Sequence, residues 1–529
     1  MASVSHALPP DYWKNLSLDG KDLEFVSNYL FEKETPLTEK ELVPVFIDER
    51  IRGERAALAQ QQQAAGTVYL PKGQYKVGEA LIFPALEWVQ GKVVSLRPGV
   101  NPSVGEFGVI EVELEDGSKR CFASGLVVHK LNEPPEETAE QGGFNAASVL
   151  EQYGGELEAR LAEALRADEG LVKIAGRWFP RALLVDVNVG HLNLAEAVLD
   201  EASGGPLPTS ALLEQIELPA DVNSKLLEFS MNYALQEDGR FDEVGPAGEV
   251  LWYLKRLEPA DVQQIPAPLR YMPIAYDRST MTPQMLALEA EIDDELGESE
   301  SVHGAAEEAT ISLSYPHWRA GTLPVTPRMH GLFPTAYESP RVRFTLVDSK
   351  TGSQIPAWVV RQQRYVAGLA EFYKKYELTP GSLIVLRKGK QPGQTIIEAR
   401  THRPTRDWVR TVLVGSDGGI VFAMLKQNLT AEFNERMVVA VPDVNGVDDA
   451  CAQLNKQRQP FDVLVHDMMV ELVKMNVQGH VHAQELYSAI NIVRRCPPAP
   501  LMTFLAAQSA YKHVGDLHFR LAETEAGND

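Results

Sequence analysis

The amino-acid sequence predicts an α+β protein with several domains. Its 529 residues exceed the length at which one hydrophobic core stops growing, about 250–300 residues, and 44% of them are hydrophobic, which is enough for several cores. Three segments show helical apolar spacing, two of them followed by a hairpin signal, and two other segments contain short runs typical of β-strands. We therefore expect helical modules and small β-barrels to follow one another along the chain.

The first domain, residues 1–132, is predicted to hold a helical module followed by a small barrel. Thr38 and Glu41 form a capping box at the start of its second helix. Strand-like runs then lie at 77–83, 88–94, 108–114 and 120–122. Short strands at this spacing, with turn residues between them, predict an antiparallel barrel.

A second helical module is predicted at residues 148–260. It contains a helix at 222–235, and Asp238-Gly239 then opens a hairpin that reaches Leu254.

Two stretches have the composition of linkers, residues 132–147 and residues 281–310. The second holds nine acidic residues and neither Lys nor Arg, so it is expected to stay flexible. A charged surface helix at 286–296 is the alternative for its first half. A functional alternative is that this acidic segment occupies the basic region that follows it and competes with nucleic acid.

Residues 311–445 are predicted to be rich in β-structure. Strands are expected at 342–348, 355–360, 383–386 and 395–399, with a short helix at 368–376. Trp358 and Tyr365 are candidates to stack on bases if they are exposed, although an aromatic residue in a barrel strand more often belongs to the core.

The last domain, residues 455–522, shows the clearest pattern. Helices are predicted at 461–475, 483–493 and 500–507, with Leu486 and Phe504 facing inward, and a hairpin turns at Gly515-Asp516.

The runs His482-Ala-Gln-Glu-Leu-Tyr487 and Val514-Gly-Asp-Leu-His-Phe519 resemble the HARE-type winged-helix family. The resemblance covers about 65 residues here and is weaker in the two earlier helical modules. It implies winged helices, which either place one helix in the DNA major groove or serve as protein-binding modules. Both roles stay open for the C-terminal copy, whose helix 483–493 offers Gln484, Ser488 and Asn491 for recognition.

The β-rich region resembles the B3-type pseudobarrel, a DNA-binding family, on the turn Leu378-Thr379-Pro380-Gly381 and its flanking strands. Gly91-Lys92-Val93-Val94 in the first barrel looks like an SH3-like module. These likenesses imply small barrels that contact DNA or a polymerase. For the first barrel, a packing domain with no ligand is the alternative.

The charge of the chain reverses sharply at residues 341–410. These seventy residues carry fourteen Lys/Arg and five Asp/Glu, a net charge of +9, whereas the whole chain stands at −23 and the remainder therefore at −32. A positive region in an acidic protein is typical of a surface for nucleic-acid phosphates. The alternative is a solvated basic face without a ligand.

Thirteen basic residues are candidates for nucleic-acid contact. They are Arg341, Arg343, Arg361, Arg364, Lys374, Lys375, Arg387, Lys388, Lys390, Arg403, Arg406, Arg494 and Arg495.

Enzymatic motifs are missing from the sequence. It has no P-loop, no dinucleotide-binding loop, no G-x-S-x-G and no H-E-x-x-H, and neither a catalytic residue, a cofactor nor a metal is predicted. Three separated cysteines indicate neither a zinc ribbon nor a disulfide framework. Without an apolar run of about 18 residues or a signal peptide, a cytoplasmic location with no membrane contact is expected.

The sequence thus predicts a non-enzymatic protein that acts on DNA, or RNA, or on a DNA-bound machine such as RNA polymerase. One alternative is an assembly scaffold whose winged helices all bind protein. Another is the recognition subunit of a nuclease or restriction system.

Overall fold

A computed structural model describes residues 11–65, 67–83, 86, 89–101, 105–132, 145–216, 218, 222–298, 306–391 and 393–522. The protein is mixed α/β with several sheets, one of which forms a half-barrel. The chain divides into two compact units, one built from residues up to 185 together with 223–229, the other from 186–222 and from 230 onward. Most of the first predicted linker, 133–144, lies outside the described residues.

The first unit contains three long helices and two sheets. Its helices are α1 (Gly20–Lys33), α2 (Glu39–Ala65) and α3 (Ala146–Arg166). Its strands are β1 (Leu37–Thr38), β2 (Thr67–Val68), β3 (Ala80–Phe83), β4 (Val89–Pro98), β5 (Gly108–Leu114), β6 (Lys119–Ser124), β7 (Leu171–Ile174) and β8 (Arg177–Pro180). The sheet orders are β1-β8-β7 and β2-β3-β4-β5-β6.

The predicted capping box at the start of α2 is confirmed. The Thr38 amide donates to Glu41 Oε2 at 2.8 Å, and the Glu41 amide donates to Thr38 Oγ1 at 3.2 Å. The strands predicted between residues 77 and 122 are also present, and their alternate side chains, such as Leu81 and Ile110, form a separate small core.

The domain boundary predicted between residues 132 and 148 is wrong. Leu157 and Leu161 of α3, together with Trp178 of β8, share one hydrophobic core with Val26 of α1 and Phe46 of α2. The small sheet β2–β6 is therefore an insertion between the second and third helices of one module. Of the predicted 148–260 domain, residues up to 185 belong to the first unit, and most of the rest belongs to the second.

The second unit holds the remaining elements. Its helices are α4 (Val189–Glu201), α5 (Thr209–Leu213), α6 (Ser224–Glu237, of which residues up to 229 belong to the first unit), α7 (Ala260–Gln263), α8 (Pro283–Ile292), α9 (Tyr315–Ala320), α10 (Ala370–Lys375), α11 (Val444–Lys456), α12 (Phe461–Val473), α13 (Ala483–Val493) and α14 (Pro498–Ala507).

The strands of this unit form four sheets. They are β9 (Leu207–Pro208), β10 (Phe241–Glu243), β11 (Leu251–Leu254), β12 (Glu308–Ser312), β13 (Thr322–Pro324), β14 (Arg341–Asp348), β15 (Gln354–Val360), β16 (Tyr365–Ala367), β17 (Leu383–Lys388), β18 (Gln394–Ala399), β19 (Thr401–Val414), β20 (Ile420–Ala431), β21 (Val481–His482), β22 (Tyr511–Gly515) and β23 (His518–Leu521). The seven-stranded sheet, which we call the half-barrel, has the order β12-β17-β18-β14-β15-β16-β13, and β19 and β20 form a two-stranded sheet.

The strands predicted in the basic region and the helices predicted at the C-terminus are confirmed within a few residues. Leu486 is fully buried as expected, whereas Phe504 is half-buried and packs edge-on against Phe461. The C-terminal helices do not form a core of their own, because Met285 of α8 and Val412 of β19 belong to the same cluster.

The acidic segment 281–310 is not a flexible linker over its first eighteen residues. Thr282 caps α8, and Arg278 forms a two-bonded pair with the buried Glu289 at 3.0 and 2.8 Å. Asp294 and Glu295 follow as buried side chains. The alternative of a charged helix is therefore nearer the structure, but Glu289 faces inward while Glu291 is exposed. Residues 299–305 lie outside the described residues.

Candidate nucleic-acid interface

Several of the thirteen predicted contact residues are already paired with carboxylates. Arg341 on β14 donates to Asp242 at 2.6 Å and to Glu258 at 3.2 Å. Arg387 on β17 bridges two glutamates at 2.6 Å each, and Lys375 lies 2.6 Å from a buried aspartate. Some of these acids come from outside residues 341–410, so less positive charge is free than the local count of +9 indicates.

The environment of Lys375 shows how strongly one such charge is compensated. Burial alone raises the pKa of Asp348, but hydrogen bonds from Lys375, Tyr376 and Thr351 outweigh it and hold this pKa well below its usual range. The ammonium group of Lys375 also lies 5.1 Å from the ring centroid of Tyr376. Lys375 therefore stabilises the end of β14, and its ammonium group is not free to donate a hydrogen bond to a phosphate.

Arg495, one of the candidates for nucleic-acid contact, is buried. Its side chain is 1% exposed, and its Nη2 donates to Asp294 at 2.5 Å and to Glu295 at 2.7 Å. Tyr487 donates to the same Asp294 at 2.5 Å, and His317 Nε2 lies 3.1 Å from Glu295. This set of five side chains, the Arg495 network, ties the acidic segment to α13 and α9.

Helix α13 has no exposed face with which to enter a DNA groove. Gln484, Ser488 and Asn491, the recognition residues predicted from the sequence, are all buried. Arg494, directly after the helix, is half-buried and donates to the Gln459 carbonyl at 2.7 Å. In this conformation these three side chains are not available to a DNA groove.

Aromatic residues of the half-barrel are buried as well. Trp358 and Tyr365 belong to a core cluster, so the alternative of base stacking does not hold for them. Arg343 lies with its guanidinium carbon 5.3 Å from the ring centroid of Tyr253 and 5.9 Å from that of Trp358, and it donates to the Gly205 carbonyl at 3.2 Å. These contacts hold the Arg343 side chain against Tyr253 of β11, Trp358 of β15 and the Gly205 carbonyl.

Seven predicted residues are exposed and form no ion pair within the described residues. They are Arg361, Arg364, Lys374, Lys388, Lys390, Arg403 and Arg406. They are spread over several elements: two belong to the β15–β16 turn, one to α10, one to the end of β17, one to the turn after it and two to β19.

The pair on β19 lies on a long two-stranded ribbon that the sequence analysis did not predict. β19 and β20 pair antiparallel over most of their length, with a bulge between Thr401 and Thr405. Val412 and Phe422 anchor one end of the ribbon in the core shared with the C-terminal helices, and Ala431 anchors the other end in the half-barrel core. Residues 403–408 between these anchors are exposed at every position.

One face of this ribbon combines an aromatic ring with cations. Trp408 is opposite Lys426 and Arg406 is opposite Asn428, and side chains opposite each other in an antiparallel pair share one face. Trp408 is 63% exposed, and Lys426 Nζ lies 5.3 Å from its ring centroid. We call Arg406, Trp408, Lys426 and Asn428 the ribbon face.

Sequence reasoning missed Trp408, Lys426 and Asn428. The available signal was the position of Trp408 directly after the polar run Arg403-Pro404-Thr405-Arg406-Asp407. In a strand, Trp408 shares a face with Arg406 and Arg410, whereas its apolar neighbour Val409 points to the other face.

A cleft of about 710 Å³ adjoins the ribbon. Trp408 and Met424 from the ribbon line it together with Met475 and Val477, which follow α12, and Glu485. Val477 is fully exposed. The cleft offers apolar surface beside the ribbon face.

Neither a metal site nor a membrane-spanning helix is found in the described part of the chain. No group of three or more His, Cys, Asp or Glu residues there is arranged to hold a metal ion. No helix there has the length and apolar content needed to cross a bilayer. Compared with known proteins, the chain matches no family model, no curated protein and no solved structure.

Proposed function

We propose that this protein is a non-enzymatic DNA-binding protein that contacts DNA through the ribbon face. The observation that carries the proposal is the exposed Trp408 ring flanked by Arg406 and Lys426 on a surface strand pair. Burying a tryptophan is favourable, so a ring left open to water is a candidate for contact with a ligand.

The chemistry of the ribbon face suits a nucleic acid. Arg406 and Lys426 supply charge for phosphates, and Asn428 supplies an amide that can bond a base edge. A two-stranded ribbon fits the width of the major groove. An exposed aromatic ring additionally stacks on unpaired bases, a contact worth about 1–3 kcal/mol per base.

The exposed lysines of the half-barrel, Lys388 and Lys390, extend the proposal toward the B3-like role predicted from the sequence. Lys388 ends β17 and Lys390 lies in the turn after it, from which side chains easily reach a nucleic-acid backbone. The helix-and-sheet modules are proposed as winged helices. The buried α13 favours a packing or protein-binding role for the last of them.

The test measures the affinity of the full chain for a short duplex as a function of salt. Binding should be strong at about 50 mM salt and fall steeply as salt rises. Arg406→Gln should lower the salt slope by about 1, because one phosphate contact is lost. Trp408→Ala should weaken binding without changing the slope, because the ring is uncharged and its contacts release no counterions.

Lys456→Gln is the matched control, since Lys456 is exposed at the end of α11 and lies outside the ribbon face. It should bind as the wild type does. Absence of salt-sensitive binding, or Arg406→Gln behaving like Lys456→Gln, would contradict the proposal.

A protein-binding scaffold is the second candidate, and the cleft beside the ribbon favours it. Met424, Met475 and the fully exposed Val477 offer the flexible apolar surface that protein partners use. Capture of a partner that survives nuclease treatment and high salt, and that Val477→Asp abolishes, would favour the scaffold over DNA binding.

A further inference from the structure

A second cleft, separate from the ribbon face, lies at the β15–β16 turn. Its volume is about 550 Å³, within the range of about 300–1,000 Å³ typical of small-molecule sites. Arg361 and Arg364, at the two ends of the four-residue turn, line it together with His330, Tyr337 and Gln362.

The backbone holds both arginines in place. The Arg361 amide donates to the Pro340 carbonyl at 3.0 Å, and the Arg364 carbonyl accepts from the Val325 amide at 2.7 Å. Each end of the turn is thus bonded to a neighbouring segment. The backbone from which each arginine side chain extends is therefore held in place at the cleft wall.

The guanidinium groups are oriented but not neutralised. Arg361 Nη1 donates to the Ser339 carbonyl at 2.7 Å, and Arg364 Nη1 donates to the Glu295 carbonyl at 3.0 Å. A guanidinium has five N–H donors, and within the described residues these two groups form no ion pair. This contrasts with Arg341, which two carboxylates occupy.

The rest of the lining is suited to a flat ring. Val325, Phe333 and Val359 are buried and form an apolar part of the lining. Tyr337 is 54% exposed and stacks on no aromatic ring of the described residues. The lining contains one carboxylate, Glu338, against two guanidinium groups, so its formal charge is positive.

We propose that this cleft binds a phosphate-bearing ligand with a planar ring, of the nucleotide class. Arg361 and Arg364 hold the phosphate through paired N–H donors, the geometry in which arginine recognises phosphate. The base lies against Tyr337 and the apolar residues. The same chemistry is present in a free mononucleotide and in the 5′-phosphorylated end of a strand.

The experiment titrates the full chain with adenosine and guanosine 5′-monophosphates in a calorimeter. At least one should bind with a Kd of about 0.1 mM or less, whereas adenosine, guanosine and inorganic phosphate should bind at least about tenfold more weakly. Arg361→Gln and Arg364→Gln should each weaken binding by about tenfold or more, because a charge-assisted hydrogen bond is lost. Tyr337→Ala should weaken it several-fold.

Arg458→Gln is the matched control. Arg458 is exposed and has the same left-handed backbone as Arg364, with φ values of 50° and 55°, but it does not line the cleft. It should bind nucleotide as the wild type does, and thermal melts verify that every variant is folded. Because Tyr337 is exposed, Tyr337→Ala keeps the test valid even where an arginine variant unfolds.

A 5′-phosphorylated trinucleotide separates the two sources. Tighter binding than the mononucleotide, lost without the 5′-phosphate, identifies a strand end; equal binding identifies free nucleotide. The proposal is overturned if neither nucleotide binds, if phosphate alone binds equally well, or if the cleft variants match Arg458→Gln. None of these results depends on the ribbon face, so this proposal and DNA binding fail separately.

Discussion

Replacing Arg495 with methionine should destabilise the second unit severely. Methionine keeps much of the side-chain length but removes the charge, which leaves the buried carboxylates of Asp294 and Glu295 without their cation. Removing one partner of a buried ion pair costs about 3–5 kcal/mol. The remaining contacts, from Tyr487 to Asp294 and from His317 to Glu295, limit the loss to this range.

The pH dependence of this loss has a definite sign. Burial by itself raises the pKa of Glu295, but Arg495 and His317 outweigh burial and hold that pKa well below its usual range. A depressed pKa contributes stability that is present above the unfolded-state value and is lost as pH falls through the folded-state value. Arg495→Met removes this contribution, so wild type and variant should converge as pH falls below about 4.5.

The difference in the free energy of unfolding between wild type and variant is measured on the full chain. Urea unfolding is monitored by tryptophan fluorescence, and calorimetry provides an independent value. Arg494→Met is the matched control, because Arg494 is half-buried and donates to the Gln459 carbonyl at 2.7 Å, where Arg495 donates to carboxylates. It should cost about 1 kcal/mol. Combining Arg495→Met with Asp294→Asn and Glu295→Gln should recover part of the stability, since no buried charge is then left unpaired. Equal losses in Arg495→Met and Arg494→Met would refute the reasoning.

Two further changes probe the same unit. Leu486→Ala should lower the free energy of unfolding by about 2–5 kcal/mol, because Leu486 is fully buried in the core shared with α8 and β19; a thermal melt close to that of the wild type would contradict this. Burial, aided by the Asp242 and Glu338 carboxylates, raises the pKa of Glu243 to about 7, so the wild type should lose stability as pH rises from about 4.5 through 7. Glu243→Gln should flatten that decline in melts at pH 5 and 8, and an unchanged decline would show that another group causes it.

Local structure followed from the sequence because its causes are local. The capping box of Thr38 and Glu41, the helix Ala483–Val493 and the strand Arg341–Asp348 each depend on residues within a few positions of one another. Apolar spacing shows which face of an element is buried. It does not show which other element covers that face, so the insertion of the small sheet between α2 and α3 was missed.

The candidate sites depended on the tertiary structure. The sequence determined that residues 341–410 are rich in cations, but it gave each cation the same weight. Arg341 finds Asp242 across 99 positions and Arg495 finds Asp294 across 201. Charge pairing depends on distance in space. Only the folded structure therefore shows that these two arginines are neutralised, whereas Arg361, Arg364 and Arg406 form no ion pair within the described residues. The exposure of Trp408 was decided in the same way, because the ribbon is anchored at both ends and residues 403–408 are left uncovered between them.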